Sequence, residues 1–141
     1  MSMTNAVVEL GRTPHWIVEH DVSRSFLRFR RNTVPFASKE EILAQFVDAG
    51  RILAAVDRST LGLLLDMRDG PMRNDDVYEE ALGGRETRFF AGFARFAALV
   101  RTQVGKLQVI RRTRGAGVDR AVFTDEAEAI AAVTLRPPSS R

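Results

Sequence analysis

The sequence predicts a single α/β domain: a mixed, mostly parallel sheet with an N-terminal antiparallel hairpin strand and about four helices. Three observations carry this. Leu61, Leu63, Leu64 and Leu65 form a short apolar run that ends abruptly at Asp66, as expected of a strand buried on both faces. Leu27 and Phe29 alternate with Arg28 and Arg30, the period of a half-exposed strand. Between them, Ile42, Phe46, Ala49, Leu53 and Val56 recur at spacings of three and four, one stripe of an amphipathic helix.

In chain order, residues 1–13 read as a flexible N-terminal leader, 14–135 as the domain and 136–141 as a flexible tail. His15–Glu19 and Phe26–Arg30 flank the polar stretch His20–Ser25 and form a hairpin, with the first strand at a sheet edge. Asn32–Pro35 turns the chain. Ser38 and Glu41 have the spacing of a capping box, and the helix they start is expected to run to about Asp57. Gly50 within it permits close approach to a neighbour, at some cost in helix propensity.

Beyond the Leu61–Asp66 strand, Asn74 or Asp75 can cap a second helix, with Asp75, Asp76, Glu79 and Glu80 complementing its dipole. Gly83-Gly84 interrupts it. Phe96–Val100 reads as a further buried strand, and Val104, Leu107 and Ile110 as the face of a short helix. Arg120–Phe123 is the last strand. Thr124 caps a final helix over Asp125–Val133, which Arg136-Pro137-Pro138 stops. Strands joined by helices imply parallel pairing.

Composition narrows the functional classes. Of 141 residues, 45% are hydrophobic and 28% charged, ordinary values for a globular protein. No apolar stretch approaches the roughly 18–20 residues of a membrane span, and the N-terminus lacks the basic flank and apolar core of a secretory signal. There is no cysteine, hence no disulfide, thiolate metal site or thiol nucleophile. A cytoplasmic location is the expectation. The net charge of +3 is modest, but residues 85–120 hold nine basic residues against Glu86 and Asp119, a local +7. Nineteen of the 21 basic residues are arginine, a bias that a GC-rich genome explains as well as phosphate recognition does.

The pieces LGLLLDMRDG at 61–70, FARFAALV at 93–100 and AVFTDEAEAIAAV at 121–133 resemble a STAS-type domain, the group of sulphate-transporter and anti-sigma-factor-antagonist domains. The likeness is to its stand-alone bacterial relatives, whose fold is shared with CRAL-TRIO lipid-transfer domains, and it spans about residues 14–135. It implies a regulatory, signalling role through protein–protein interaction. Anti-sigma-factor antagonists place a phosphorylatable serine in an Asp-Ser-x-Gly motif after the third strand. Here the matching stretch, Asp66–Asp76, holds no serine or threonine, so the resemblance does not extend to that switch. Asp69 or Asp75 offers a fixed negative charge instead, with fewer acceptors than phosphate.

The carboxyl end of a central strand is where open α/β sheets place their ligands and contacts. Asp66, Met67, Arg68, Asp69, Met72, Arg73, Asp75 and Asp76 are therefore the candidate partner-binding residues. Arg68 and Arg73 are expected to face water and Met67 and Met72 to act as apolar anchors. Four aspartates there could hold Mg²⁺, yet strand end, turn and helix start account for each of them, and no metal or cofactor is expected. His15 and His20 read as surface or edge histidines whose odd spacing keeps them apart. No G-x-S-x-G elbow or acid–base pair stands out, so no enzymatic role is expected.

Arg111, Arg112 and Arg114 before Gly115-Ala116-Gly117 form a candidate anion site. Nucleic-acid recognition is not expected, because no reading element accompanies the charge. Met67, Met72, Tyr78, Phe89, Phe90 and Phe93 fit core packing, and alternatively line an apolar pocket or a homodimer face. The resulting expectation is a non-catalytic STAS-like module that binds a protein partner. The alternative is a small carrier or sensor of an apolar or anionic ligand held beneath the second helix.

Overall fold

The computed structural model describes residues 7–70, 89–104, 107 and 121–135. Among these, one sheet runs in sequential order: β1 (Val7–Arg12), β2 (Trp16–Asp21), β3 (Phe26–Arg31), β4 (Gly62–Asp66), β5 (Arg95–Leu99) and β6 (Ala121–Phe123). The β1–β2 and β2–β3 pairs are antiparallel, and β3–β4, β4–β5 and β5–β6 are parallel. Two helices are described, α1 (Lys39–Leu53) and α2 (Glu126–Val133), with a 3₁₀ turn at Arg58–Thr60. The expected mixed α/β sheet is present. Two of the about four expected helices are described; the second helix and the one around Val104–Ile110 fall largely outside the described residues. No described helix is long and apolar enough to cross a membrane.

The period of two sorts side chains between the faces. Leu27, Phe29, Leu63, Leu65 and Ala98 point to the α1 side and pack with Ala49 and Leu53 in the main core. Phe26, Leu64, Ala97 and Leu99 point to the other side, where Ala129 and Val133 of α2 cover them. Each fully buried Leu or Phe here contributes about 1.5–3 kcal/mol relative to exposure.

The hairpin forms as the pattern predicts, and Asp21 organises its turn. Its buried carboxylate accepts from the Ser23 hydroxyl and from the backbone and guanidinium of Arg24. Ser25 closes the turn at φ 59°, the left-handed region uncommon for a residue with a side chain.

Several expectations are corrected. Val7–Arg12, read as part of a leader, is a strand and forms the sheet edge, so β2 lies inside the sheet. Its burial alternates with nothing, because most of the strand is exposed on both faces and leaves no periodic signal. Helix α1 stops at Leu53 rather than about Asp57, since Asp57 caps the 3₁₀ turn by accepting from Ser59 N. The N-cap of α2 is Asp125, not Thr124, and it accepts from Glu128 N. Ser38 does cap α1, accepting from Glu41 N at 3.2 Å, while Glu41 reaches back to Ala37 N at 2.9 Å.

Gly62 allows the two layers to meet. A Cβ there would land on the Val133 carbonyl at the end of α2. At Gly50 a Cβ would only touch Phe89 at 3.7 Å, an ordinary contact, so close approach does not require glycine there.

Candidate functional site

At the carboxyl end of β4 the apolar run gives way to a charged cluster on the α2 side of the sheet. Asp66 follows Leu64 by two residues and so shares its face. Arg28 follows Phe26 by two and shares the same face, one strand over; β3 and β4 pair in parallel with Arg30 beside Asp66. Glu126 reaches the spot from the first turn of α2, and Arg68 from the loop after β4.

Asp66 is 2% exposed, and its carboxylate is fully occupied. It accepts from Arg68 Nη2 at 2.8 Å, Arg68 Nε at 3.0 Å, Arg68 N at 3.2 Å and Arg28 Nη1 at 3.3 Å. Glu126 accepts from Arg28 at 3.0 Å and from Arg68 at 3.4 Å. Two guanidinium groups thus face two carboxylates, and the cluster carries no net charge. The Arg28 guanidinium holds the Glu126 carboxyl below its ordinary value, with burial opposing. Hydrogen bonding to Asp66 raises Arg68 above its already high value.

The cluster also fixes the loop. Met67 N donates to Leu99 O at 2.9 Å, and Arg101, just beyond β5, donates to Arg68 O at 3.0 Å and to Asp69 at 3.1 Å. Side-chain exposure grows outward, from 33% at Arg68 to 50% at Asp69 and 66% at Arg101. Chemically this is a stiffened, ion-paired platform. Asp66 has neither the free oxygens of a Mg²⁺ ligand nor the open face of a phospho-acceptor, and no metal-ligating group of three or more is found among the described residues.

Of the sequence-predicted site residues, Asp66, Met67, Arg68 and Asp69 come together here. Arg68 is half-buried rather than facing water, because its guanidinium chelates Asp66. Met67 packs against the main core and so is less free to act as an anchor. Met72, Arg73, Asp75 and Asp76, and likewise Arg111, Arg112 and Arg114, lie outside the described residues, as does the space beneath the second helix.

Sequence reasoning missed three participants. Arg28 was expected on an exposed face together with Arg30; its side chain is largely covered and only Arg30 remains open. Glu126 falls in the first turn of the final helix and Arg101 in the basic stretch, and neither is a candidate site residue by sequence. The alternation that puts Leu27 and Phe29 on one face puts Phe26 with Arg28 on the other, and that large apolar residue beside Arg28 is the one available signal that this face is covered. His15 is also corrected: it is 4% exposed, stacked on Phe36 with ring centroids 4.2 Å apart.

No family model and no curated protein matches the chain. Among solved structures, it is similar to an uncharacterized protein of the DUF3478 family with a SpoIIAA-like fold, from Shewanella loihica PV-4. The likeness covers 93% of this chain and 96% of that one, with a TM-score of 0.58 and 12% identity. Together with the β-β-α-β framework and its two-sided sheet, it shows that this chain has the SpoIIAA-like, STAS-type fold.

Proposed function

We propose that the protein is a non-catalytic STAS-like regulatory module that binds another protein at the carboxyl end of β4. The observation that supports this reading is the graded cluster around Asp66. A buried, self-neutralising core of ion pairs holds the loop rigid, while Asp69 and Arg101 stand at its exposed rim. Preorganised loops lose less entropy on docking, and rim charges govern pairing and encounter rate. The same neutralisation argues against catalysis, because each acid in the cluster is already committed to a guanidinium. Control of binding by serine phosphorylation at this loop is not part of the proposal, since Asp66–Asp76 carries no hydroxyl.

The test is capture of partners from an extract of the source cells by immobilised protein, with bound proteins identified by mass spectrometry. Asp69→Lys and Arg101→Glu should each lose a partner that the parent protein retains. Arg51→Glu, an exposed position on α1, should keep it. Loss through the α1 variant with retention by both loop variants would place the binding face elsewhere and overturn the proposal.

A further inference from the structure

A second contact surface lies at the β1 edge of the sheet, away from the Asp66 cluster and independent of it. Among the described residues no strand pairs with the outer side of β1. Val7, Val8 and Leu10 are exposed along it. Such an edge is a template for pairing with another strand, and proteins ordinarily blunt it.

A β-bulge makes this strand complementary to itself. Leu10 is the extra residue of the β1–β2 ladder, where Glu9 faces Glu19 and Gly11 faces Val18. In a regular strand Glu9 and Arg12 would point to opposite faces. The bulge returns them to one face, where Arg12 donates to both Glu9 oxygens, at 2.6 and 2.9 Å. The backbone follows the same parity. Trp16 O accepts from Thr13 N, on the β1 side, so the alternation along β2 turns Ile17 and Glu19 toward β3. Their opposite numbers on β1, Arg12 and Glu9, therefore direct their own N–H and C=O outward.

We propose that β1 pairs antiparallel with β1 of a second copy of this chain, about a two-fold axis between Leu10 and Gly11. Each Glu9 then lies opposite the second copy's Arg12, with backbone groups of both residues turned toward the junction. The four side chains close a ring of alternating charge, and Leu10 meets the second copy's Gly11, a large residue beside one without a side chain. The two bulges fall opposite each other, so the strands stay in step. A foreign strand would have to carry the reverse charge order, whereas a second copy supplies it by symmetry. With six residues a side the contact is far smaller than a standard stable interface, so the dimer is weak, half-formed near about 0.1 mM.

Sedimentation equilibrium at concentrations up to about 1 mM reads the association, and the parent protein should dimerise over that range. Glu9→Arg and Arg12→Glu each set like charges opposite one another at both ends of the junction, and each alone should weaken the dimer by about tenfold or more. An equimolar mixture of the two variants restores both opposite-charge pairs and should associate as the parent does, a rescue that misfolding of either variant could not produce. Arg51→Glu, on the exposed side of α1, should dimerise unchanged. A parent protein that stays monomeric would leave the edge to some other partner and overturn the proposal. So would a dimer that survives both single variants, or a mixture that associates no better than its components.

Discussion

Replacing Asp66 with asparagine preserves the shape of the side chain and removes its charge. The structure sets the size of the effect. Asp66 is 2% exposed and accepts three bonds from guanidinium groups, at 2.8, 3.0 and 3.3 Å. Removing one partner of a buried ion pair typically costs 3–5 kcal/mol. The lower end applies, because Arg68 is one-third exposed and can be rehydrated, and Arg28 keeps Glu126 at 3.0 Å. Asp66→Asn should therefore destabilise the fold by about 3 kcal/mol. For 141 residues the unfolding entropy is about 0.3 kcal/mol/K, so Tm should fall by about 10 °C. Asp69→Asn, which breaks only an exposed pair with Arg101, should cost at most about 0.5 kcal/mol, under about 2 °C. Thermal unfolding followed by circular dichroism gives both values. If the two variants melted together, the cluster would not be the anchor of the loop, and the reasoning about its rigidity would fail.

Glycine substitutions should move stability in opposite directions. Gly62→Ala drives a Cβ into the Val133 backbone and should cost about 3 kcal/mol or more in urea unfolding, whereas Gly50→Ala, with room beside Phe89, should gain about 0.5–1 kcal/mol; the same sign for both would refute the packing described. Acid should destabilise the protein through two carboxyls in particular. Burial pushes Asp21 up, but the hydrogen bonds from Arg24 and Ser23 outweigh it, and Arg28 lowers Glu126, so both sit below their ordinary 3.8 and 4.5. The unfolded chain then binds more protons in acid, so their stabilisation is complete above about pH 5 and is lost as pH falls through the ordinary values toward the folded ones. A combined Asp21→Asn, Glu126→Gln variant should show a flatter fall in urea midpoint between pH 5 and pH 3, and curves parallel to the parent's would contradict the assignment.

The sequence by itself determined what depends on neighbours along the chain. The Leu61–Asp66 run, the Leu27/Phe29 alternation, the Ser38 cap and the acidic start of α2 are local signals. Each specifies an element because burial period and orphan amides are settled within a few residues. The tertiary structure decided what depends on neighbours across the sheet. Val7–Arg12 becomes a strand only because β2 offers it an edge, and its own exposed side chains carry no periodicity. Arg28, Asp66 and Glu126 meet across 38 and 98 residues of chain, and only the parallel register of β3 with β4 and the return of α2 bring them together. His15, polar by type and set beside a proline, is buried because Phe36 and the first turn of α1 close over it. Charge pairing and enclosure are properties of surfaces brought into contact, and a linear pattern records only which surfaces are available.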